Sequence, residues 1–273
     1  MKSNPNPNPF DEALTLEPLA EGRYQGHTHP AFANMVGPYG GVSAAQVLQA
    51  VLLHPQRLGD PVSLTVNFCA ALADGPFQVR AKPVRTNRST QHWTVSVCQG
   101  DDPVLTATAL TALRRDTWSA EEHTAPAVPA PQAVPQRSGA MRVEWLQRYE
   151  MRLLDQALPS VWDGSDQGHS RTRLWVRDQP PRPLDFASLT ALADVFTPRI
   201  WHRRARLVPL GTVSLTVYYH ASAAQLAATG EGYLLGQAQG QGFGRGYFDQ
   251  SAQLWNEGGT LLATTHQVVY FKE

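Results

Sequence analysis

A five-residue sequence that occurs twice constrains the fold of this chain more than any other feature. Residues 62–66 read VSLTV, and residues 213–217 read VSLTV again. Each copy follows an apolar segment of helical character and precedes further strand-like runs separated by glycine-containing turns. Because the identity recurs at the same place in the same order of predicted elements, duplication explains it better than chance. The sequence therefore predicts one structural unit used twice in 273 residues.

Each predicted unit combines one apolar helix with several antiparallel strands. In the first unit a helix is expected from Gly40-Gly41 to about His54, and four runs rich in β-branched and aromatic residues follow it. This order is typical of the α+β class, with a helix packed on an antiparallel sheet. The units are placed at residues 10–118 and 140–273. Residues 119–139, rich in alanine and proline, are expected to be a linker with few core residues.

Composition excludes several classes of protein. Lysine plus arginine and aspartate plus glutamate number 23 each, so no overall charge favours nucleic acid or an anionic membrane. No run is long enough to span a bilayer, and the N-terminus has no apolar signal segment. Cys69 and Cys98 both lie in strand-like runs and are expected to be buried free thiols. A cytoplasmic location is therefore expected.

The second apolar helix contains a single acid. Residues 183–198 read PLDFASLTALADVFTP, and Asp185 is placed to cap the helix at its start. Apolar side chains surround nearly the whole helix, which is typical of a buried one. Asp194 lies in the last predicted turn, with Thr190 one turn earlier on about the same face. A carboxylate in such surroundings must be paired, hydrogen-bonded or shifted in pKa. With the hydroxyl-rich strand at residues 211–220, this segment is the candidate site.

Further motifs, in order along the chain, resemble those of the acyl-CoA thioesterase II family. They are GPYGG at residues 37–41, RTNRS at 85–89, LWVR at 174–177, LAD at 192–194 and LLATTHQ at 261–267. The resemblance covers roughly residues 10–115 and 140–273. It implies a double hotdog fold: two tandem repeats, each a long central helix wrapped by an antiparallel β-sheet. It also suggests that two chains can pair as a homodimer.

The resemblance implies a catalytic set in the second repeat. The family's acid on the helix matches Asp194, its hydroxyl on the following strand matches Thr212, and its glutamine on the last strand matches Gln267. Ser214 and Thr216 lie two and four residues after Thr212, and alternation along a regular strand would place them on the same face, so they remain alternatives. The first repeat has no acid in its helix and has Leu110 near the position of Gln267. It is therefore expected to supply packing and pocket wall.

Substrate-binding candidates are Gly40 and Gly41, together with Arg199 and Arg203. The glycines either allow close packing or expose helix-start N–H groups to a carbonyl oxygen or phosphate. Residues 199–206 are locally basic and either meet the phosphates of coenzyme A (CoA) or form a solvated loop. Arg85 and Arg88 are a second candidate pair. His27 and His29 are spaced as HxH without a nearby cluster of ligands in the sequence, so no metal is expected.

Hydrolysis of an acyl-CoA thioester is the reaction that this set predicts. Asp194 would accept the proton of the attacking water, and Thr212 and Gln267 would hold that water. No cofactor is needed, and an anhydride on Asp194 is an alternative route. Two other functions stay open. One is a hotdog hydratase or dehydratase using an aspartate–histidine pair, for which His202 is the available histidine. The other is a protein that binds an acyl-CoA or acyl ligand without cleaving it.

Overall fold

The computed structural model describes residues 7–136, 143–155 and 158–273. The first half contains the following helices and strands: α1 (Pro9–Ala13), β1 (Glu17–Ala20), β2 (Arg23–His27), α2 (Gly40–Leu52), β3 (Asp60–Phe68), β4 (Pro76–Thr86), β5 (Thr90–Gln99) and β6 (Asp102–Ala112). The second half contains β7 (Tyr149–Leu153), β8 (Thr172–Asp178), α3 (Phe186–Leu192), α4 (Arg199–Arg204), β9 (Leu210–Tyr219), α5 (Ala223–Thr229), β10 (Leu234–Gln239), β11 (Phe243–Gly244), β12 (Tyr247–Asn256) and β13 (Leu261–Phe271). Single 3-10 turns occur at Pro30–Phe32, Pro131–Ala133 and Glu144–Arg148.

All thirteen described strands join one antiparallel sheet. Its order is β1-β2-β4-β5-β6-β3-β9-β13-β12-β10-β8-β7, with β11 paired to β12. Strands β1 to β6 come from the first half and β7 to β13 from the second, and the two halves meet where β3 pairs with β9. The sheet is therefore continuous through the junction of the two repeats, which confirms the predicted α+β double hotdog.

The two VSLTV copies lie side by side at this junction. Leu64 pairs with Val217 and Val66 pairs with Leu215, so the pairing is symmetric about Thr65 and Thr216. The two threonine hydroxyls lie 3.0 Å apart across the local twofold. The repeated sequence therefore forms the strand pair that joins the two units, and a cross-strand threonine pair is a favourable contact there.

Helices α2 and α3 pack against each other inside the curved sheet. Ten of the thirteen residues of α2 are buried, and so is every residue of α3. The main hydrophobic cluster includes side chains from both helices and from strands of both halves. The predicted start of α2 at Gly40 and the Asp185 cap of α3 are confirmed, since Asp185 accepts from the backbone N–H of Ser188 at 2.7 Å.

Several local expectations were wrong. Helix α3 has seven residues and ends at Leu192, so the second repeat lacks a long helix. The basic segment forms α4, whose first four residues are buried, rather than a solvated loop. Cys69 is exposed instead of buried.

The segment expected to be a linker packs on the outer face of the second half. Its carbonyls accept hydrogen bonds from two indole groups, with Trp175 Nε1 donating to Pro129 at 2.9 Å and Trp255 Nε1 donating to His123 at 3.1 Å. Val134 is buried in a small cluster with both tryptophans. Residues 137–139 of the expected linker lie outside the described residues. Its described part therefore behaves as a strap that covers β8, β10 and β12.

Among the described residues, no helix combines the length and the apolar character needed to cross a membrane.

Candidate active site

The candidate site is built around Asp194, which lies in the turn just after α3. Its backbone N–H donates to the carbonyl of Ala191 at 3.1 Å, closing the helix with a tight final turn. The carboxylate Oδ1 accepts a 2.7 Å hydrogen bond from Gln267 Nε2 on β13. The backbone N–H of Gly41, in the first turn of α2, also donates to this carboxylate. Groups from both halves of the chain therefore hold the acid.

Burial changes the acid–base behaviour of Asp194. The residue as a whole keeps some surface exposure, but protein atoms surround its carboxylate, and this desolvation raises its pKa from 3.8 to about 7. The hydrogen bonds from Gln267 and Gly41 act in the opposite direction, because each favours the charged form. A carboxyl group with a pKa near neutrality can accept a proton and return it in one reaction cycle.

Gly40 and Gly41 allow α2 to approach the acid. A Cβ on Gly40 would lie 2.9 Å from Asp194 Oδ2, and one on Gly41 would lie 2.6 Å from the carbonyl of Ala191. The hydroxyl of Tyr39 donates to that same carbonyl at 2.7 Å. Gly41 therefore has both of the roles that the sequence left open. It allows close packing, and its helix-start N–H donates to an oxygen. The anion that Gly41 meets is the protein's own carboxylate.

A β-bulge at Val213 decides which hydroxyl of β9 shares a face with Gln267. Val268 pairs with Ser214 and the next residue, Val269, pairs with Thr212, so Val213 is the extra residue. Directly paired residues point to the same side of a sheet, and residues two apart on one strand do too. Thr212 therefore points to the side of Val269 and Gln267.

Ser214 and Thr216 point to the opposite side of the sheet from Thr212. Ser214 pairs with the exposed Val268, and Thr216 pairs with the exposed His266. The expectation that all three hydroxyls share one face is wrong, because the bulge breaks the alternation of the strand. Of the three, only Thr212 lies on the side of the sheet where Gln267 meets Asp194.

Two other polar residues predicted near the acid have different partners. Thr190 Oγ1 donates to the carbonyl of Phe186 at 2.7 Å and lies 2.6 Å from the hydroxyl of Tyr219. His202 Nε2 lies 2.6 Å from Thr197 Oγ1. The hydrogen bonds that shift the pKa of Asp194 come from Gln267 and Gly41, and no histidine contributes.

The two candidate arginines differ sharply in environment. Arg199 is completely buried, and burial lowers its pKa to about 9. It donates to the carbonyls of Ser170 at 2.8 Å and Ala238 at 3.2 Å, and to Thr197, so it braces β10 against α4 and has no surface to offer a phosphate. Arg203 is partly exposed and forms a 2.7 Å ion pair with Asp166.

Gln250, which no sequence motif singled out, is a buried polar residue beside Gln267. It lies directly opposite Gln267 in the pairing of β12 with β13, so both side chains point to the same side of the sheet. Gln250 is 3% exposed. Its place in the run YFDQSAQLWN carries no motif, and only the register of the two strands could have identified it.

No group of three or more histidine, cysteine, aspartate or glutamate side chains converges in the described part of the chain. His29 Nδ1 accepts from the backbone N–H of Ala31 at 3.2 Å, and its Nε2 lies 3.3 Å from Glu12.

Two protein-family models match this chain. The acyl-CoA thioesterase N-terminal domain matches residues 29–112, and the acyl-CoA thioesterase C-terminal domain matches residues 120–271. The chain belongs to the acyl-CoA thioesterase family. The C-terminal model starts at residue 120 and so includes the strap on the outer face.

Solved structures show the same architecture. A hotdog-fold protein of unknown function from Alicyclobacillus acidocaldarius is 44% identical, with 97% of this chain and 98% of that chain covered and a TM-score of 0.91. An acyl-CoA thioesterase II from Mycobacterium marinum is 18% identical, with 96% and 98% covered and a TM-score of 0.76. A tesB protein from Mycobacterium avium subspecies paratuberculosis is 18% identical, with 98% and 100% covered and a TM-score of 0.77. No curated protein matches the sequence.

Proposed function

We propose that this protein hydrolyses acyl-CoA thioesters by direct attack of water, with Asp194 as general base. The observation that carries the proposal is the state of Asp194: its carboxylate is desolvated, has a pKa raised to about 7, and is oriented by Gln267 and Gly41. The matches to both acyl-CoA thioesterase domain models support the reaction class. Thr212 and Gln267 are the other members of the proposed catalytic set.

In the proposed reaction, Asp194 both accepts the proton of the attacking water and later returns it. The carboxylate takes a proton from water while the water oxygen forms a bond to the thioester carbonyl carbon. The Thr212 hydroxyl and the Gln267 amide hold that water, since each can donate and accept hydrogen bonds. The tetrahedral oxyanion then collapses, the C–S bond breaks, and the protonated Asp194 returns its proton to the leaving thiolate. The products are the free acid and CoA.

Donors for the oxyanion lie on both sides of the acid. The Gly41 N–H is occupied by Asp194, but those of Gly40 and Val42 in the first turn of α2 have no partner within the helix, and the Gln250 amide lies on the same side of the sheet as Gln267. Such donors contribute most when they are fixed in place before the reaction begins. We assign Gln250 to this role together with the start of α2.

Thiol release is the experiment that tests the proposal. Wild-type protein is incubated with short-, medium-, long-chain and aromatic acyl-CoAs, and free CoA is measured with a thiol reagent. We expect turnover with at least one class. Saturable binding without thiol release would identify a binding protein instead. Hydration of an enoyl-CoA with its thioester intact would identify a hydratase.

Oxygen-18 labelling separates direct attack from an anhydride that water opens at the Asp194 carbonyl. During turnover in labelled water, direct attack places the label in the product acid alone. Opening of the anhydride at the Asp194 carbonyl would place label in that side chain, where mass spectrometry of the peptide would find it. We expect an unlabelled Asp194.

A further inference from the structure

A basic cavity lies at the end of the second half, beyond the catalytic residues. Its volume is about 740 Å³, and its wall is formed by α4, the segment before β8, and the turns that flank β11. Four arginines line it: Arg171, Arg203, Arg204 and Arg245. In a chain with no net charge, four arginines around one cavity are a local concentration that needs an explanation.

The arginines exceed the acids of the cavity by two. Asp166 pairs with Arg203 at 2.7 Å and Glu273 pairs with Arg204 at 3.3 Å. Within the described ranges, Arg171 and Arg245 form no ion pair. Both are exposed, so their guanidinium groups are available to an anion from solution.

The backbone holds Arg245 at the rim of this cavity. Arg245 has a φ of 54°, in the left-handed region that few non-glycine residues adopt, and it stands between Gly244 and Gly246 in the turn from β11 to β12. The carbonyl of Gly246 accepts a hydrogen bond of 2.8 Å from the N–H of Phe271, which ties the turn to β13. An arginine kept in a costly conformation at a fixed turn is consistent with a binding role.

The buried Arg199 stabilises the part of the cavity wall that contains Ser170. It donates to the carbonyl of Ser170, whose own hydroxyl accepts from the N–H of Gly240 at 2.8 Å. Both Ser170 and Gly240 line the cavity. Arg199 therefore serves this cavity by bracing it, while other arginines face the open space.

The floor of the cavity continues the strand that carries Gln267. Ile200, Phe243 and Phe271 line it, and they belong to a hydrophobic cluster that includes Val269. Gln267, Val269 and Phe271 alternate along β13 and point to one side. At about 3.4 Å per residue, Phe271 lies about 14 Å from Gln267 along the strand. That separation is comparable to an extended pantetheine arm, which joins the thioester of acyl-CoA to its diphosphate.

We propose that this cavity binds the diphosphate and the 3′-phosphate of CoA, with Arg171 and Arg245 as the principal contacts. The inference rests on the proposed function and adds which residues recognise the CoA part of the substrate. Guanidinium groups bind phosphate oxygens through paired, charge-assisted hydrogen bonds. A thioester that ends at the pantetheine arm gains nothing from the cavity, so the enzyme distinguishes CoA thioesters from shorter ones.

The test compares a double variant with a matched control. Arg171→Ala/Arg245→Ala removes the two unpaired arginines, and Arg23→Ala removes an exposed arginine of the first half that does not line the cavity. Initial rates are measured with an acyl-CoA, the same acyl-dephospho-CoA (without the 3′-phosphate) and the same acyl-N-acetylcysteamine (without any phosphate). Binding of free CoA is measured by calorimetry.

We expect the double variant to raise KM for acyl-CoA about tenfold or more, with kcat within about twofold of wild type. Its kinetics with acyl-N-acetylcysteamine should equal those of wild type, and the effect on acyl-dephospho-CoA should be intermediate. Raising the salt concentration should increase KM for acyl-CoA in wild type more steeply than in the double variant. Arg23→Ala should behave as wild type throughout.

Two results would overturn the inference while leaving thioesterase activity in place. One is an unchanged KM for acyl-CoA in the double variant. The other is wild-type hydrolysis of acyl-N-acetylcysteamine no less efficient than that of acyl-CoA. Absence of thiol release from every substrate would contradict the proposed function instead. Calorimetry then decides about the cavity, since loss of CoA affinity in the double variant alone supports the site and equal affinity refutes it.

Discussion

The central residue is an acid whose carboxylate the fold largely shields from water. A desolvated carboxylate costs free energy when ionised, and the donors that offset this cost at Asp194, among the residues that the structure describes, are Gln267 Nε2 and the Gly41 N–H. Neither donor carries a formal charge. The site therefore keeps Asp194 a stronger base than an exposed aspartate would be.

This burial predicts the pH dependence of hydrolysis. The base must be ionised to accept a proton, so kcat/KM should rise with pH through an apparent pKa near 7. An exposed aspartate would titrate near pH 4. The measurement is a profile of kcat/KM from pH 4.5 to 9 with a saturable acyl-CoA. A rate that is already at its plateau at pH 5 would contradict this assignment.

Gln267→Leu should move that profile. The Gln267 hydrogen bond lowers the pKa of Asp194, so its removal should raise the pKa further and shift the profile to higher pH. The loss of water positioning should also reduce kcat by about 10²-fold. Gln78→Leu, at an exposed glutamine of β4, is the control. A reduced kcat with an unshifted profile would contradict the effect of Gln267 on the pKa of Asp194 and leave Gln267 only the role of holding the water.

At the scale of elements, one extra residue in β9 places Thr212, the proposed catalytic hydroxyl, on the side of the sheet that carries Gln267. Thr212→Val keeps the shape of the side chain and removes the hydroxyl, and we expect it to lower kcat about 10- to 100-fold. Ser214→Ala should leave kcat within about twofold of wild type, because the bulge turns Ser214 to the other face. The kcat of both variants is measured with one acyl-CoA. The reverse order of effects would place the wrong hydroxyl in the catalytic set.

Sequence periodicity predicted that these helices and strands exist better than it predicted where a helix ends or where a strand contains a bulge. The apolar run through Val195 and Phe196 made α3 look longer than it is, since periodicity cannot mark the last helical residue. Alternation in residues 211–220 hid the bulge at Val213, because the shift depends on pairing with β13. The placement of Asp194 against Gln267 followed from the family resemblance. Gln250 did not, because only its partner strand shows its position.

At the scale of the whole molecule, both halves contribute groups to the proposed active site. Asp194 and Gln267 come from the second half, and the N–H that completes their arrangement comes from Gly41 of the first. Strand β9, next to the catalytic β13, pairs on its other side with β3 of the first half. The position in the first repeat that corresponds to Gln267 is occupied by Ala109, which the registers of the two halves place one residue before the expected Leu110.

Separating the halves should therefore abolish hydrolysis. We expect residues 119–273 expressed alone to aggregate through the uncovered edge of β9 and to release no thiol. Co-expression with residues 1–118 should restore a soluble, active complex, measured by size-exclusion chromatography and thiol release. A soluble and active second half alone would show that Gly41 and β3 are dispensable.

The internal repeat allowed two matched units to be predicted, and the family resemblance supplied the double hotdog fold. The strap was not predictable in the same way. Its alanines and prolines resemble a loose linker, and the indole groups that bind its carbonyls are far away in sequence, at Trp175 and Trp255. The cavity also escaped prediction, because Arg171 and Arg245 are brought together only by the fold.

The most direct test of the account is thiol release by Asp194→Asn beside wild type and Asp178→Asn. Asp178 is a second buried acid near α3, with a pKa raised to about 6 and a 2.5 Å hydrogen bond from Ser188 Oγ, so its variant controls for the loss of a buried carboxylate as such. We predict that Asp194→Asn lowers kcat by about 10²- to 10⁴-fold while Asp178→Asn stays within about threefold of wild type. Equal activity of wild type and Asp194→Asn would contradict the assignment of Asp194 as the base.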